Sequence, residues 1–336
     1  MTPVIQLDPN QPDAQAVEQA AAIIRAGRLV AFPTETVYGL GADAMNERAI
    51  QRIFAAKGRP ADNPLIVHIS SREMLATVAT RINDNAEALI DRYWPGPLTL
   101  VLKRKADVPA SVSAGLPTVA ARMPNHAVAL ALIRAAQTPI AAPSANRSGR
   151  PSPTSAAHVM ADLGGRIDMI MDGGATDIGI ESTVLDVTAD VPMILRPGWI
   201  TEAQIAAVTG AVTRAASLDE LRRSPGTRYR HYSPRARVVL VEQATPDLVE
   251  QVCNEYLKSA MVGFIGHTPV TIDDEKFYAL ILRNEPTDYA ARLYAALREM
   301  DERGASVIIV EGIKDVGEGA AVMDRLRRAA SETIRD

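Results

Sequence analysis

The sequence predicts an α/β protein of two modules, a larger mixed-sheet module followed by a smaller Rossmann-like three-layer one. Three observations predict it. Short apolar runs of strand length alternate with segments of helical period along most of the chain. The alternation lapses over a weakly periodic stretch between residues 211 and 235 and then restarts. The chain is also 336 residues long, more than the roughly 100–200 residues typical of one domain. Expected boundaries are 10–210, a connector at 211–235, and 236–336.

The elements follow in order. AQAVEQAAAIIRAG (14–27) spaces apolar residues at the helical period and ends on Gly27, a natural C-cap, before the apolar run LVAF (29–32). A helix therefore feeds a strand. Further strand-like runs are LIVHI (65–69), LTLVL (98–102), TVAARM (118–123), PIAA (139–142), DMIMD (168–172) and TVLDV (183–187), with helical patterns near 46–56, 126–136, 154–162 and 201–209. WPGP (94–97) and APSANRSGRPSP (142–153) interrupt them, and punctuated loops of this kind are where α/β modules build sites. In the second module ARVVLVE (236–242), AMVGFIG (260–266), FYALIL (277–282) and ASVIIVEG (305–312) read as strands, separated by helices near 245–258, 286–302 and 319–330.

Composition narrows the function classes. A hydrophobic content of 47%, a net charge of −4 and a pI near 5.8 describe a soluble globular chain without a broadly basic surface, so any anion site is confined to a local cleft. Aromatic residues are only 4% of the chain, which argues against base stacking along an extended RNA strand. Cys253 is the only cysteine; this excludes a disulfide framework or cysteine-based metal cluster and fits a reducing cytoplasm. The N-terminal MTPVIQLDPNQPD lacks a secretory pattern, and no apolar segment approaches the ~20 residues of a membrane span, so a cytoplasmic location without membrane association is expected.

Several loops carry candidate chemistry. AFPTETVYGLGADA (31–44) leaves a buried strand through Thr34, Glu35, Thr36 and Tyr38 into Gly39 and Gly41, expected to permit tight or left-handed backbone. KGRPADNPLIVHI (57–69) sets Lys57 and Arg59 two apart beyond the expected helix end, a pairing that suits phosphate, before Asn63 and a strand carrying His68. Arg122 lies in an apolar strand-like run, where a guanidinium is costly unless it meets a carboxylate or phosphate. PIAAPSANRSGRPSP (139–153) offers Ser144, Asn146, Ser148 and Ser152 ahead of a helix beginning near Pro153, an arrangement that suits an anion. Ser182 and Thr183 enter another strand, and Arg196 precedes a proline turn. Finally, SPGTRYRHYSP (224–234) packs two arginines, a histidine and two tyrosines into the connector.

In their joint order, PTETVYGLG, KGRPADNPLIVH, WPGPLTLVL, ARMP, APSANRSG, ESTVLDV, LRPG and SPGTRYRHYSP resemble the Sua5/YrdC/YciO family of threonylcarbamoyl-AMP synthases, in the long form with a C-terminal Sua5 domain. The resemblance implies a YrdC-like twisted mixed sheet. It also implies a nucleotidyltransferase that turns L-threonine, bicarbonate or CO2, and ATP into L-threonylcarbamoyl-AMP and diphosphate, towards threonylcarbamoyl-adenosine at position 37 of tRNA. By the same resemblance L-threonine contacts fall on Thr36, His68, Arg122, Ala142 through its backbone, and Ser182. ATP contacts fall on Arg59, Asn63, Thr118, Ser144, Ser152, Arg196 and Tyr232, with Lys57 beside the phosphates and Lys57 and Arg59 as the catalytic cations. The connector would fold over the active site. Mg2+ would be held mainly by ATP phosphates, without a dedicated protein cage. Downstream tRNA-modifying enzymes are implied as partners, with weak or no direct tRNA binding.

Such a reaction needs no covalent nucleophile, in keeping with the lack of a GxSxG elbow or a catalytic cysteine signature. Two other readings compete: an RNA-binding module without catalysis, and a hydrolase of carbamoyl-adenylates or acyl phosphates. In the second module His267, Cys253 and the acidic run Asp273, Asp274, Glu275 read as packing or solvated loop.

Overall fold

Short polar side chains that accept the first free N–H groups decide where most helices of this chain begin. The computed structural model describes residues 1–224 and 232–335. The chain divides into two units, Met1–Ser148 with Ser152–Arg228, and Gly149–Pro151 with Tyr229–Asp336. The first runs β1 (Val4–Gln6), α1 (Ala14–Arg25), β2 (Val30–Phe32), β3 (Gly39–Asp43), α2 (Glu47–Lys57), β4 (Ile66–His68), α3 (Arg72–Val78), α4 (Asp84–Tyr93), β5 (Leu98–Lys103), β6 (Thr118–Arg122), α5 (Ala127–Ala136), β7 (Ile140–Ala141), α6 (Ala156–Leu163), β8 (Met169–Asp172), β9 (Thr183–Asp186), β10 (Met193–Arg196), α7 (Glu202–Thr209), β11 (Thr213–Arg214) and α8 (Leu218–Leu221). Asp13, Asn46, Ser71, Asn83 and Thr201 cap α1, α2, α3, α4 and α7. Ser155 caps α6, which therefore starts later than the expected Pro153.

Eleven strands form one sheet in the order β1-β8-β2-β3-β7-β4-β6-β5-β9-β10-β11, mixing parallel and antiparallel pairs. The middle strands alternate with period two. Val67, Leu100, Leu102, Val119, Ala121, Leu185 and Ile194 enter the main core beside α2, α3, α4 and α7. Their neighbours Ile66, Val101, Ala120, Val184 and Leu195 form a separate apolar patch on the opposite face. By the same alternation His68, Thr99, Thr118 and Arg122 stand on that second face.

Two expectations need correction. The segment after Pro33 does not loop through Gly39 and Gly41 but becomes β3. Gly41 serves close approach instead of a turn, since a Cβ there would lie 2.8 Å from Phe32 and 2.9 Å from Ile140. Lys57 is not beyond the helix but is the last residue of α2, which ends on Gly58 in the left-handed conformation at φ 61°. Part of the expected connector is also structured: β11 pairs in parallel with β10. The rest of it includes residues 225–231, which lie outside the described residues, as do Arg228 and Arg230 of the SPGTRYRHYSP segment.

The second unit runs β12 (Arg237–Glu242), α9 (Pro246–Leu257), β13 (Val262–Gly266), β14 (Phe277–Ile281), α10 (Pro286–Glu302), β15 (Val307–Glu311), α11 (Gly319–Ala329) and β16 (Glu332–Arg335). Its five strands are all parallel, in the order β14-β13-β15-β12-β16. This is the Rossmann-like layering expected. Cys253 packs in the core between α9 and the sheet, and burial pushes its thiol up to about 12. No described helix is long and apolar enough to cross a membrane.

Candidate active site

Parallel pairing of β4 and β6 puts His68 directly beside Arg122. Arg122 is buried, and its guanidinium is engaged on three sides. Nε donates to the Gly96 carbonyl at 3.1 Å, Nη1 donates to Thr36 Oγ1 at 2.9 Å, and Nη2 lies 2.6 Å from Glu35 Oε2. The last contact is off the hydrogen-bond line, so charge holds the pair, while the Asn125 N–H gives Glu35 an aligned bond at 3.0 Å. The carboxylate that makes a buried arginine tolerable is thus internal, with both side chains only 4–6% exposed. The loop carrying Glu35 is itself pinned. Thr34 Oγ1 donates to the Val37 carbonyl at 2.7 Å and lies 2.8 Å from Thr36 Oγ1, and the Gly179 N–H reaches the Thr36 carbonyl.

Burial, reinforced by the Arg122 charge, pushes the His68 imidazole down to about 3, so it is neutral at ordinary pH. Its Nδ1 is buried without a hydrogen-bond partner, and Phe32 meets the ring edge-on at 6.1 Å. His126, just before α5, is also held below its ordinary value by burial, with Glu35 and Asp177 opposing.

Further along the same face, Ser182 Oγ lies 2.8 Å from Thr99 Oγ1. Arg196 grips the Ser182 carbonyl through Nε at 3.2 Å and Nη2 at 2.9 Å, and its Nη2 also reaches Ser182 Oγ at 3.3 Å. This requires the backbone at Gly198 to pass very close, since a Cβ there would sit 2.2 Å from the Thr183 nitrogen. Ser152 Oγ donates to Glu181 Oε1 at 2.5 Å, tying the serine-rich loop to the residues before β9.

A second cluster forms where α2 meets the loop after β7. The buried Lys57 ammonium donates to the carbonyls of Ser144 and Asn146, each at 2.5 Å, with Asn146 Oδ1 at 3.5 Å. Ser144 Oγ donates to Asn146 Oδ1 at 2.6 Å. Desolvation, followed by the nearby Arg59 charge, lowers the Lys57 pKa well below its usual value, with Asp162 opposing. Arg59 Nη2 donates to the carbonyls of Asn63 and Pro64 at 3.3 and 2.9 Å, clasping the turn that leads into β4. The two clusters share a backbone bridge, because the Tyr38 N–H bonds to the Pro153 carbonyl and the Ala145 N–H to the Tyr38 carbonyl. Polar groups from segments far apart in sequence therefore gather into compact clusters of the first unit.

Comparison with known proteins decides the family. Residues 22–198 match the Sua5, YciO and YrdC family model, described as "Telomere recombination", and residues 200–331 match the model of the "Threonylcarbamoyl-AMP synthase, C-terminal domain". The chain belongs to the Sua5/YrdC/YciO family. It is 49% identical over 325 residues to the threonylcarbamoyl-AMP synthase of Pyrococcus abyssi, covering 94% of each chain. It is 46% identical over 340 residues to that of Bacillus subtilis, covering 98% of this chain and 96% of the relative. The crystal structure of P. abyssi Sua5 complexed with L-threonine matches all of both chains at 46% identity and a TM-score of 0.94. Escherichia coli YciO, at 24% identity and a TM-score of 0.53, covers 58% of this chain and 95% of its own, and shows the fold alone.

Within this Sua5-type chain, Thr36, His68 and Arg122 come together, as do Ser182 and Arg196, and as do Lys57, Ser144 and Asn146. Ala142 spends its N–H on the Ile66 carbonyl, so the backbone group it can offer a ligand is its carbonyl. Asn63 is fully buried beneath Arg59. Thr118 shares the face of Arg122 but sits at the other end of β6, about 13 Å away along the strand. Tyr232 belongs to the second unit. There its buried ring stacks on Tyr294 at 5.5 Å, the Arg325 guanidinium lies 5.5 Å from its centre, and its backbone takes a left-handed φ of 66°. Sequence reading missed the roles of Glu35, Thr99 and Glu181. The only hint was a carboxylate between two threonines at the end of a buried strand.

Proposed function

We propose that this Sua5-type chain is an L-threonylcarbamoyladenylate synthase, joining L-threonine, a carbon unit from bicarbonate or CO2, and ATP with release of diphosphate. Relatives named threonylcarbamoyl-AMP synthase align over nearly its whole length, which supports this reading over an RNA-binding module or a hydrolase. The observation that carries the site assignment is the Glu35–Arg122 pair flanked by Thr36, the neutral His68 and the Ser182 hydroxyl. That group has no net charge yet offers both signs, which complements an amino-acid zwitterion. The Lys57 and Arg59 cluster supplies an ammonium and a guanidinium that complement a triphosphate.

In the reaction the threonine amine loses protons and captures CO2 as a carbamate. A carbamate oxygen then attacks the α-phosphorus, and the bond to diphosphate breaks. Lys57 and Arg59 hold phosphate oxygens and stabilise the charge that gathers on the departing diphosphate. Ser144, Ser152, Asn63, Thr118 and Arg196 orient the nucleotide, while Thr36, His68, Arg122, the Ala142 carbonyl and Ser182 orient threonine so that the reacting atoms meet. The oxygens around Lys57 are two carbonyls and an amide oxygen already taken by its ammonium, which leaves no protein cage there, so Mg2+ would arrive bound to phosphates and water. The ion supplies additional neutralisation of phosphate charge. The product is a labile anhydride, so transfer to adenosine 37 of tRNA falls to separate enzymes in the cytoplasm.

The test follows diphosphate release from ATP with L-threonine and bicarbonate, omitting each in turn, with mass spectrometry for the adenylate. Release that needs all three and yields threonylcarbamoyl-AMP is expected. Release independent of threonine would overturn the reading.

A further inference from the structure

The connections of the second unit reverse direction between two neighbouring strands. α9 carries the chain from β12 across β15 to β13, whereas α11 carries it from β15 across β12 to β16. Right-handed crossovers then put α9 and α11 on opposite faces of the sheet. The crevice outside the carboxyl ends of β12 and β15 is a topological switch point, where open parallel sheets bind ligands. A cavity of about 560 Å³ lies there, within the usual size range for small-molecule sites.

The chemistry of its wall selects the ligand. Acidic and basic groups balance: Glu242 pairs with Arg327 at 2.7 Å and Arg335 at 3.2 Å, and Asp315 pairs with Arg327 at 2.6 Å. Glu311 accepts from the His267 and Thr268 N–H groups at 2.7 and 2.8 Å, and Lys314 adds one further positive charge. Neither adjoining helix N-terminus offers an open anion nest. The first N–H groups of α11 close on the carbonyls of Val316, Gly317 and Glu318, and α9 begins with Pro246, which has no N–H, and spends the Leu248 and Val249 donors on Thr245. Glu318 and Asp247 at these termini would also repel an anion. An uncharged ligand is therefore favoured over a phosphate ester.

Beside these, Gln243 and Asn284 add amides that both accept and donate, above an apolar floor. His267 turns Nε2 towards Glu311 at 3.2 Å, leaving Nδ1 buried without a partner, and Glu242 offers carboxylate oxygens at a strand end. Ile313, Met323 and the 69% exposed Val316 supply a surface for a flat ring. We propose that this crevice binds an uncharged nucleoside of the adenosine type. The ring lies on Ile313, Val316 and Met323, its exocyclic amine donates to acceptors such as His267 Nδ1, and the ribose diol donates to the Glu242 side.

Calorimetric titration of adenosine into the full chain tests this, with L-threonine and a non-hydrolysable ATP analogue at saturation so that the first unit's site is filled. One-to-one binding is expected, at least about tenfold tighter than AMP and about fivefold tighter than purine riboside, which lacks the amine. Val316→Asp, at an exposed rim position, should weaken adenosine by at least about tenfold while diphosphate release stays at the parent rate. His267→Phe should abolish the preference for adenosine over purine riboside. Three results would overturn the proposal: no binding at millimolar adenosine, tighter binding of AMP, or adenosine binding that neither variant changes.

Discussion

Two buried cations of the first unit are stabilised in opposite ways. Arg122 has its counter-ion in contact, with Glu35 at 2.6 Å, and the pair is close to neutral. Lys57 is held by two carbonyls and an amide oxygen, with the Asp162 carboxylate acting only as the weakest of the charge effects on it. Carbonyl dipoles satisfy an ammonium's hydrogen bonds without cancelling its charge. One pocket therefore pairs its cation with a carboxylate and the other with neutral oxygens, a difference that, on the proposed function, suits the zwitterionic amino acid to the first and the phosphates to the second.

The strongest way to break this comparison is to remove the uncancelled charge. Lys57→Met should lower kcat/KM for ATP by about 10²–10³-fold, the usual scale for losing a group aimed at developing charge. It also strands the carbonyls of Ser144 and Asn146, at about 1–3 kcal/mol each if they stay buried, so a lower Tm is expected as well. Lys57→Gln keeps two donors and drops the charge. If Lys57 were only a brace, Gln would restore both stability and ATP kinetics; if charge matters, stability recovers further than catalysis.

Glu35→Gln sharpens the other half. Replacing the carboxylate leaves Arg122 uncompensated in a buried site, so the pocket should prefer an anion over a zwitterion. L-threonine affinity should fall by about 10–100-fold, while 2,3-dihydroxybutanoate, which has a hydroxyl in place of the amine, should bind more tightly than to the parent protein. The KM for ATP should hardly change. An unchanged ratio of the two affinities would show that Glu35 acts only as a strut for the loop.

Much of the frame behind this contrast was legible in sequence. LIVHI and TVAARM each hold a strand whose limits fall within a residue of the apolar run, because a strand buried on both faces reads as a short continuous apolar run. The cost of burying Arg122 was legible too, as was its need for a carboxylate or phosphate. Which carboxylate answered it was not. Thr36 and Arg122 are 86 positions apart, and their meeting depends on the sheet order β3-β7-β4-β6, which no local segment encodes. Lys57 falls just past the helical pattern at 46–56, because the apolar period stops at Ala56, whereas Gly58 caps a helix that includes the lysine. The seven-residue helix α3 went unseen because two turns carry too little periodic signal.

The smallest expected effect is on the pH dependence of stability, and it separates the neutral pocket from the charged one. His68 sits in the pocket whose arginine is already paired, and burial with the Arg122 charge lowers its imidazole from 6.5 to about 3. The unfolded chain therefore binds the proton more readily than the folded one between those values. Stability from keeping His68 neutral is fully present above about 6.5 and is lost progressively as pH falls towards 3. His68→Gln removes the titration while keeping a polar side chain, so Tm should fall less steeply than in the parent protein between pH 6.5 and 4, with the two curves parallel above 7. An equally steep fall in the variant would mean that carboxylate protonation alone drives acid unfolding, and that the pocket around Arg122 admits solvent to His68.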